Sequence, residues 1–466
     1  MPEHIYLANH SKSYYKPQIR IMLQSKEIIM KKFRLYIEIL AAVLVIAAAA
    51  WIFFGNYMEI GKPVIKFDQE LKSLGRQKTV GITFSDSKSG LARLKVEMIQ
   101  DNNARILVDK NIPSKGKQLE NLSLPVNVLD LKLHDGPATV KITATDHSLF
   151  KNQAILSQTV KIDTIPPQIF LLKNTTYLNQ GGTGFVSYQL SKAAASTGVY
   201  INNVFIPAHA ILADNKSTYI TYFAVPIDAN KDKIRIMVFA RDDAGNETNI
   251  ALPCEIKTKK FRADKMNLDE KFLQQKMPEF QAMIPSLQGK TPLEVFTYIN
   301  SQMRNDNFLT IQKICQKSSP KELWEGVFLR MKNGAPMALF GDKRTYMVGK
   351  KAVGESLHTG VDLASNARAV IEASNKGIVV FTGALGIYGN AVIIDHGLGL
   401  FSLYGHMSSI DTTVGKNVAK GEKIGLSGTS GLAGGDHLHF SLIVGGQFVN
   451  PQEWWDPHWI KDNIVK

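Results

Sequence analysis

The chain has 466 residues, 44% hydrophobic and 21% charged, with a net charge of +14. That is too long for one ordinary domain and too apolar for a disordered chain, so roughly three or four folded domains are expected. The charge invites a nucleic-acid partner, but its location speaks against one: residues 1–36 hold seven Lys/Arg and two Glu, whereas residues 351–466 hold eight Lys/Arg and ten Asp/Glu. The basic excess lies in the tail and the middle, where general electrostatics gives at most a weak preference for acidic envelope polymers.

From the N-terminus, residues 1–34 read as a cytoplasmic tail and 35–57 as a transmembrane anchor. Leu35–Phe54 is a 20-residue apolar run whose single charge is Glu38, long enough to span a bilayer as a helix. Lys31, Lys32 and Arg34 precede it and place the tail in the cytoplasm by the positive-inside rule. Ala48-Ala49-Ala50 would also suit signal-peptide cleavage, but the run continues through Trp51–Phe54, which favours an uncleaved anchor. Met30-Lys-Lys-Phe-Arg34 has the form of a conventional start, so the first 29 residues read as an over-extended beginning. Everything after Tyr57 is expected outside the cytoplasm, in the periplasm or cell envelope, and no cysteine follows the run closely enough for a lipoprotein.

Residues 61–164 and 165–258 are expected to form two immunoglobulin-like β-sandwiches. Thr79–Ser85, Ala138–Thr145, Thr218–Val225 and Lys233–Arg241 alternate as strands, with turns at Ser89-Gly90, Asp135-Gly136 and Ala244-Gly245-Asn246. Ile142-Thr-Ala-Thr-Asp146 and Val238-Phe-Ala-Arg-Asp242 close the two units alike. Pro166-Pro167 marks the boundary between them, since neither proline can donate to a ladder. Arg241–Thr248 resembles the closing turn of bacterial immunoglobulin-like domains. A spacer role is the plainer expectation; wall binding is the alternative. Cys254 and Cys315 are the only cysteines, and two separate buried thiols are favoured over a disulfide.

Residues 259–335 read as a helical connector. Leu268–Met277 and Thr291–Met303 have apolar residues at helical spacing, Pro292 suits a first turn, and Lys321–Arg330 after Pro320 reads as a further helix.

Residues 336–458 look all-β, with strands at Gly377–Thr382, Asn390–His396 and Leu400–Tyr404 and a hairpin of Asp436–Val444 with Gln447–Val449 about Gly445-Gly446. Six of the eleven histidines fall after residue 350. His358 and Asp362 are four apart, and His437-Leu-His439 returns about 75 residues after Asp362. A catalytic zinc wants three protein ligands and keeps a fourth position open. His437 and His439 are two apart on a strand and so share a face. Gly360 between β-branched Thr359 and Val361 places the first pair on a loop, and the Glu of a His-Glu-x-x-His helix is absent, so a thermolysin-like site is excluded. His396, Glu355, Asp395 and His458 read as structural, and Arg344-Thr-Tyr346 as a possible part of the groove wall.

His358-x-Gly360-x-Asp362, Tyr388-Gly-Asn390, Asp395-His-Gly397, Tyr404-Gly-His406 and His437-Leu-His-Phe440, in this order, resemble the lysostaphin-type zinc metallopeptidases, which cut peptidoglycan cross-links. The resemblance covers about a quarter of the chain. It implies an antiparallel β groove with Zn2+ held by His358, Asp362 and His439, and His406 and His437 as the catalytic pair. A zinc-activated water would be the nucleophile, with the two histidines in acid–base and oxyanion roles. Asp436 and Ser441 depart from the family pattern, which more often has a small residue or proline and a Glu there; substrate preference or ligand orientation is affected, not metal binding.

The fold expected is therefore mainly β and multidomain: transmembrane helix, two immunoglobulin-like sandwiches, helical connector and C-terminal antiparallel β metallopeptidase domain. The expected partners are peptidoglycan, the cytoplasmic membrane and envelope regulators, with no nucleic acid. A non-enzymatic regulator that binds amidases is the competing function, as is a purely structural wall-binding protein. The residues leave open whether glycine bridges or direct diaminopimelate links are cut.

Overall fold

The computed structural model describes residues 15–54, 58–213 and 216–464. These belong to two compact units, 1–164 and 165–466. Tyr15–Phe54 is a single helix, and its Ser25–Trp51 part is long and apolar enough to cross a membrane. Of the expected cytoplasmic tail, and of the expected over-extended start, residues 1–14 lie outside the described residues.

In the first unit a three-stranded and a five-stranded sheet enclose one core. Leu91–Gln100 and Gly136–Asp146 bury alternate residues, as period-2 patterning requires. Residues 165–258 form two four-stranded antiparallel sheets, and the expected strand Thr218–Val225 appears as Lys216–Ala224. Asp242 sits in the closing turn, where it accepts from the backbone N–H of Asn246 and pairs with Lys192.

The next segment lays an edge strand, Ala263–Asn267, parallel to Lys343–Val348. The helix Glu270–Met283 follows, capped by Asp269, whose carboxylate accepts from Phe272 N–H. Pro292–Tyr298 begins on a Thr291/Glu294 capping box. It runs through a π turn, Ile299–Met303, into Arg304–Ile314. The helix expected at Lys321–Arg330 is absent: those residues are not helical. Leu323, Phe328 and Leu329 donate their N–H groups to His396, Trp454 and Ser374, so tertiary bonds replace a helical ladder. Trp324 and Phe328, four apart, still reach one core from this path.

The C-terminal sheet has eight strands, with the order Ala335–Ala338, Val361–Ala364, Leu438–Val444, Leu400–Met407, Asn390–Gly397, Gly377–Ala384, Asn417–Val418, and Gln447–Val449 added to Leu438–Val444. Leu400–Met407 and Leu438–Val444 are buried at every position, as strands covered on both faces must be. Leu438, Phe440, Leu442 and Val444 enter a core shared with Phe185, Ile220 and Tyr222 of the preceding β unit. Ile393, Phe401, Leu403 and Ile443 meet Met277, Phe280, Val295 and Phe296 of the helices on the other side. The all-β expectation for 336–458 needs one correction: the short helix Pro451–Trp454 lies within that span, and Pro457–Asn463 begins in it. Proline at each first turn and Asn450 and Asp456 as caps explain both starts.

Trp454 anchors the join between the β unit and this sheet. It packs against Tyr222, Trp324 and Phe328 at centroid distances of 5.8, 5.3 and 5.3 Å, and its indole N–H donates to Thr183 Oγ1. Beside it, buried Glu453 accepts from Asn179 Nδ2 (2.9 Å) and Thr183 N (2.7 Å). Both cysteines are free thiols, and burial pushes Cys315 up to about 12.

Candidate metal centre

The His358–Asp362 turn crosses the sheet where Asp362 pairs with His439, and His439 pairs with Gly405 on its other side. Gly360 permits this approach: a Cβ there would lie 2.5 Å from Phe440 O and 2.7 Å from His439 Nε2. The backbone of His358 is held from both sides, accepting from Gly341 N–H and donating to Asp342 O.

His358 Nε2 lies 2.9 Å from Asp362 Oδ1 and 3.1 Å from His439 Nδ1, and His439 Nδ1 lies 2.8 Å from the same carboxylate oxygen. All three residues are buried. Each has a second partner on its far side. His358 Nδ1–H donates to Leu339 O, a carbonyl that can only accept, which leaves Nε2 with its lone pair towards the cluster. His439 Nε2 bonds Ser441 Oγ, and Arg344 donates to Asp362 Oδ2. Outer partners of this kind orient metal ligands. Burial pushes the Asp362 carboxyl up, but the His358 and His439 imidazoles packed against it bring it well below its ordinary value. Burial pushes His439 down to about 4, against the raising hydrogen bond to Asp362. Neutral imidazoles and an ionised carboxylate are the states a metal needs.

These residues fit a metal ion. Lone-pair atoms 2.8–3.1 Å apart repel one another unless a proton or cation lies among them. The edge of a tetrahedral zinc site with ligand bonds of ~2.0 Å is about 3.3 Å, close to this triangle.

Two further imidazoles stand beside it. His406 has a left-handed backbone, φ +63°, next to a register shift between Asn390 and Val392 on the neighbouring strand. A shift of this kind re-aims side chains near sites. Its Nδ1–H donates to Ser430 O, so Nε2 is the free basic nitrogen. Burial, with His437 and His439 nearby, pushes it down to about 3. His437 lies just before the regular strand, which begins at Leu438 and not at Asp436, and its N–H bonds Gly428 O. Its Nδ1 bonds Gly435 O, its Nε2 is 3.7 Å from Asp362 Oδ1, and its ring centroid is 4.7 Å from that of His406.

The five histidine and aspartate positions singled out in the sequence thus come together in the lining of a cleft of about 1030 Å³. His396 stands apart, buried between Lys376 O and Ser402 Oγ, and Asp395 ties Ser318, Ser319 and Gly397. The two departures from the family pattern have defined contacts: Ser441 holds His439, and Asp436 accepts from Arg368 N and Ser427 Oγ. Sequence reasoning placed Arg344 only at the groove wall and missed its bond to Asp362. It missed Ser430 and Leu339 altogether, because they act through carbonyls that every residue has. Tyr388, from the Tyr-Gly-Asn motif, lines the cleft 5.3 Å from the His439 ring, with its hydroxyl 3.3 Å from Thr359 Oγ1.

A His2Asp donor set on an antiparallel sheet, open to a cleft, defines a metallopeptidase-type centre. Residues 356–451 match Peptidase family M23, so the chain carries an M23 peptidase domain. DD-carboxypeptidase/endopeptidase Mpg of Neisseria meningitidis serogroup B is 44% identical over 95 residues, 20% of this chain and 22% of that protein. Peptidoglycan DD-endopeptidase ShyA of Vibrio cholerae is 38% identical over 111 residues, 24% and 25% of the two chains. Murein hydrolase activator EnvC of Escherichia coli is 36% identical over 106 residues, 23% and 25%. The chain spans about a quarter of the length of these curated relatives.

Proposed function

We propose that this protein is a membrane-anchored zinc metalloendopeptidase that hydrolyses amide bonds in peptidoglycan cross-links. The observation that carries the reading is the complete donor set of His358, Asp362 and His439, with two more imidazoles beside it in an open cleft. Zinc held by these three residues would supply Lewis acidity towards an amide carbonyl and a water. His406 Nε2, its tautomer fixed by Ser430, accepts the proton of the attacking water, and the His406–His437 pair returns it to the leaving amine. Arg344, Leu339 and Ser441 keep the three ligands in place. The Ser25–Trp51 helix anchors the chain in the cytoplasmic membrane with the later domains in the envelope. The two β units preceding the helices are immunoglobulin-like, and the helices connect them to the peptidase domain.

The likeness to an activator of murein hydrolases favours a second reading, a regulator without turnover. Zinc content and release of cleaved muropeptides, measured side by side on the full chain, separate the two. Wild type should hold one zinc and cleave; His439→Ala should lose zinc; His437→Ala should keep zinc and lose roughly 10²–10⁴-fold in turnover. Zinc without any cleavage by wild type would favour the regulator. Metal lost in His437→Ala and kept in His439→Ala would reverse the two roles.

A further inference from the structure

The cleft wall includes residues upstream of the family-matched segment, and it is electrostatically unbalanced. Every carboxylate lining it is engaged: Asp264 by Arg262, Asp269 by the helix N-terminus it caps, Asp362 by Arg344 and the histidines, and Asp436 by Arg368 N and Ser427. Among the described residues, three cations of the cleft have no carboxylate partner: Lys265, Lys271 and Arg304. The two lysines are exposed, but Arg304 is half-buried and lines the same cleft as Tyr388. Its Nε donates to Asn300 Oδ1 (3.0 Å), and Asn300 Nδ2 donates to Glu355 O (3.0 Å), so the guanidinium is held from behind. Asn300 is buried within the π turn that immediately precedes Arg304, and such turns recur at functional sites. A guanidinium carries five N–H donors, and one is used here, which leaves a fixed fork for a planar anion.

We infer that Arg304 is a specificity-determining residue that binds a free carboxylate beside the scissile amide. It thereby selects direct diaminopimelate cross-links over neutral oligoglycine bridges. In a direct link the released amine belongs to a residue whose adjacent carboxylate is free; an amide inside a glycine bridge has no such neighbour. This rests on the endopeptidase reading above and chooses between the two bonds it left open. Lys265 and Lys271 add an attractive field along the approach.

The test uses the full chain and two probes: a muropeptide dimer joined directly through diaminopimelate, and the same dimer with the carboxylate beside the cross-link amidated. Binding is measured by calorimetry on metal-stripped protein, and cleavage on zinc-loaded protein. Wild type should bind the free-carboxylate dimer roughly 10- to 100-fold tighter than the amidated one, the range for a hydrogen-bonded charge pair. Arg304→Met should bind both dimers alike and at the weaker level, and Arg304→Lys should recover part of the preference. Equal binding of the two dimers by wild type overturns the inference, and this comparison does not depend on any variant folding. So does an equal loss for both dimers in Arg304→Met. If zinc-loaded wild type cleaves neither dimer, the endopeptidase reading falls while the binding comparison still judges Arg304. If it cleaves both with the same kcat/KM, the reading stands and the role of Arg304 falls.

Discussion

Asp362 at the candidate metal centre and Glu453 at the join with the preceding β unit are both buried carboxyl groups, 8% and 7% exposed, and they are driven in opposite directions. Burial alone raises both. At Asp362 the His358 and His439 imidazoles lie against the carboxylate and bring it well below its ordinary value, and Arg344 donates to its other oxygen. At Glu453 the donors are a neutral amide and a backbone N–H, with Lys259 acting only through its charge, and burial prevails: the carboxyl is pushed up to about 7. The neighbours, not the degree of burial, decide whether a buried acid keeps its charge. One pocket therefore holds an anion ready for a cation, and the other holds a proton near neutral pH.

Asp362→Asn tests the first half most severely, because it keeps the shape and removes the charge. Zinc should no longer be stoichiometric, and muropeptide release should fall on the order of 10³-fold or more; metal analysis showing full zinc would falsify the assignment of Asp362 as a ligand. Next in size is Trp454→Ala at the join. Loss of that side chain from the aromatic cluster should cost about 3–5 kcal/mol in denaturant unfolding, while zinc content is unchanged. A loss below ~1 kcal/mol would mean that the β unit and the peptidase sheet do not depend on this contact.

Glu453→Gln addresses the proton itself. The unfolded chain releases it near the ordinary 4.5 and the folded chain only near 7, so the fold binds the extra proton between these values. The stability that Glu453 contributes is then fully present below 4.5 and is lost as pH rises through about 7, an amount on the order of 3 kcal/mol at most. Thermal melts at pH 5 and pH 8 should show this decline in wild type and a flatter profile in Glu453→Gln; the same slope in both would remove Glu453 as its source. The smallest effect is expected from Ser441→Ala, which takes away only the outer partner of His439. Zinc affinity should weaken roughly 10-fold by competition with a chelator, and an unchanged affinity would show that Ser441 does not orient the ligand.

The proposed metal trio could be picked out because its residues are chemically rare and carried by short motifs: His358-x-Gly-x-Asp362 confines two donors to one turn, and His437-Leu-His439 carries two imidazoles two residues apart, although only His439 lies on the strand. The alternation of Ala138–Thr145, inside the strand Gly136–Asp146, and the first-turn proline Pro292 were equally local. The helix expected at Lys321–Arg330 after Pro320 failed because its N–H groups bond distant carbonyls, which no local pattern announces. Glu453 could not be read at all. Its partners, Asn179 and Thr183, are 274 and 270 residues away, and nothing in Pro451–Trp454 announces them. Arg304 lies ahead of the family-matched segment 356–451, so no motif pointed to it.

His406 occupies a backbone region that a residue with a Cβ visits at a cost, typically about 1 kcal/mol or more, whereas glycine and asparagine enter it readily. At this one position local preference and chemistry are opposed. A library selected for resistance to heat should drift to His406→Gly or His406→Asn and lose the proposed proton carrier. A library selected for cleavage should hold histidine there and recover stability at other positions.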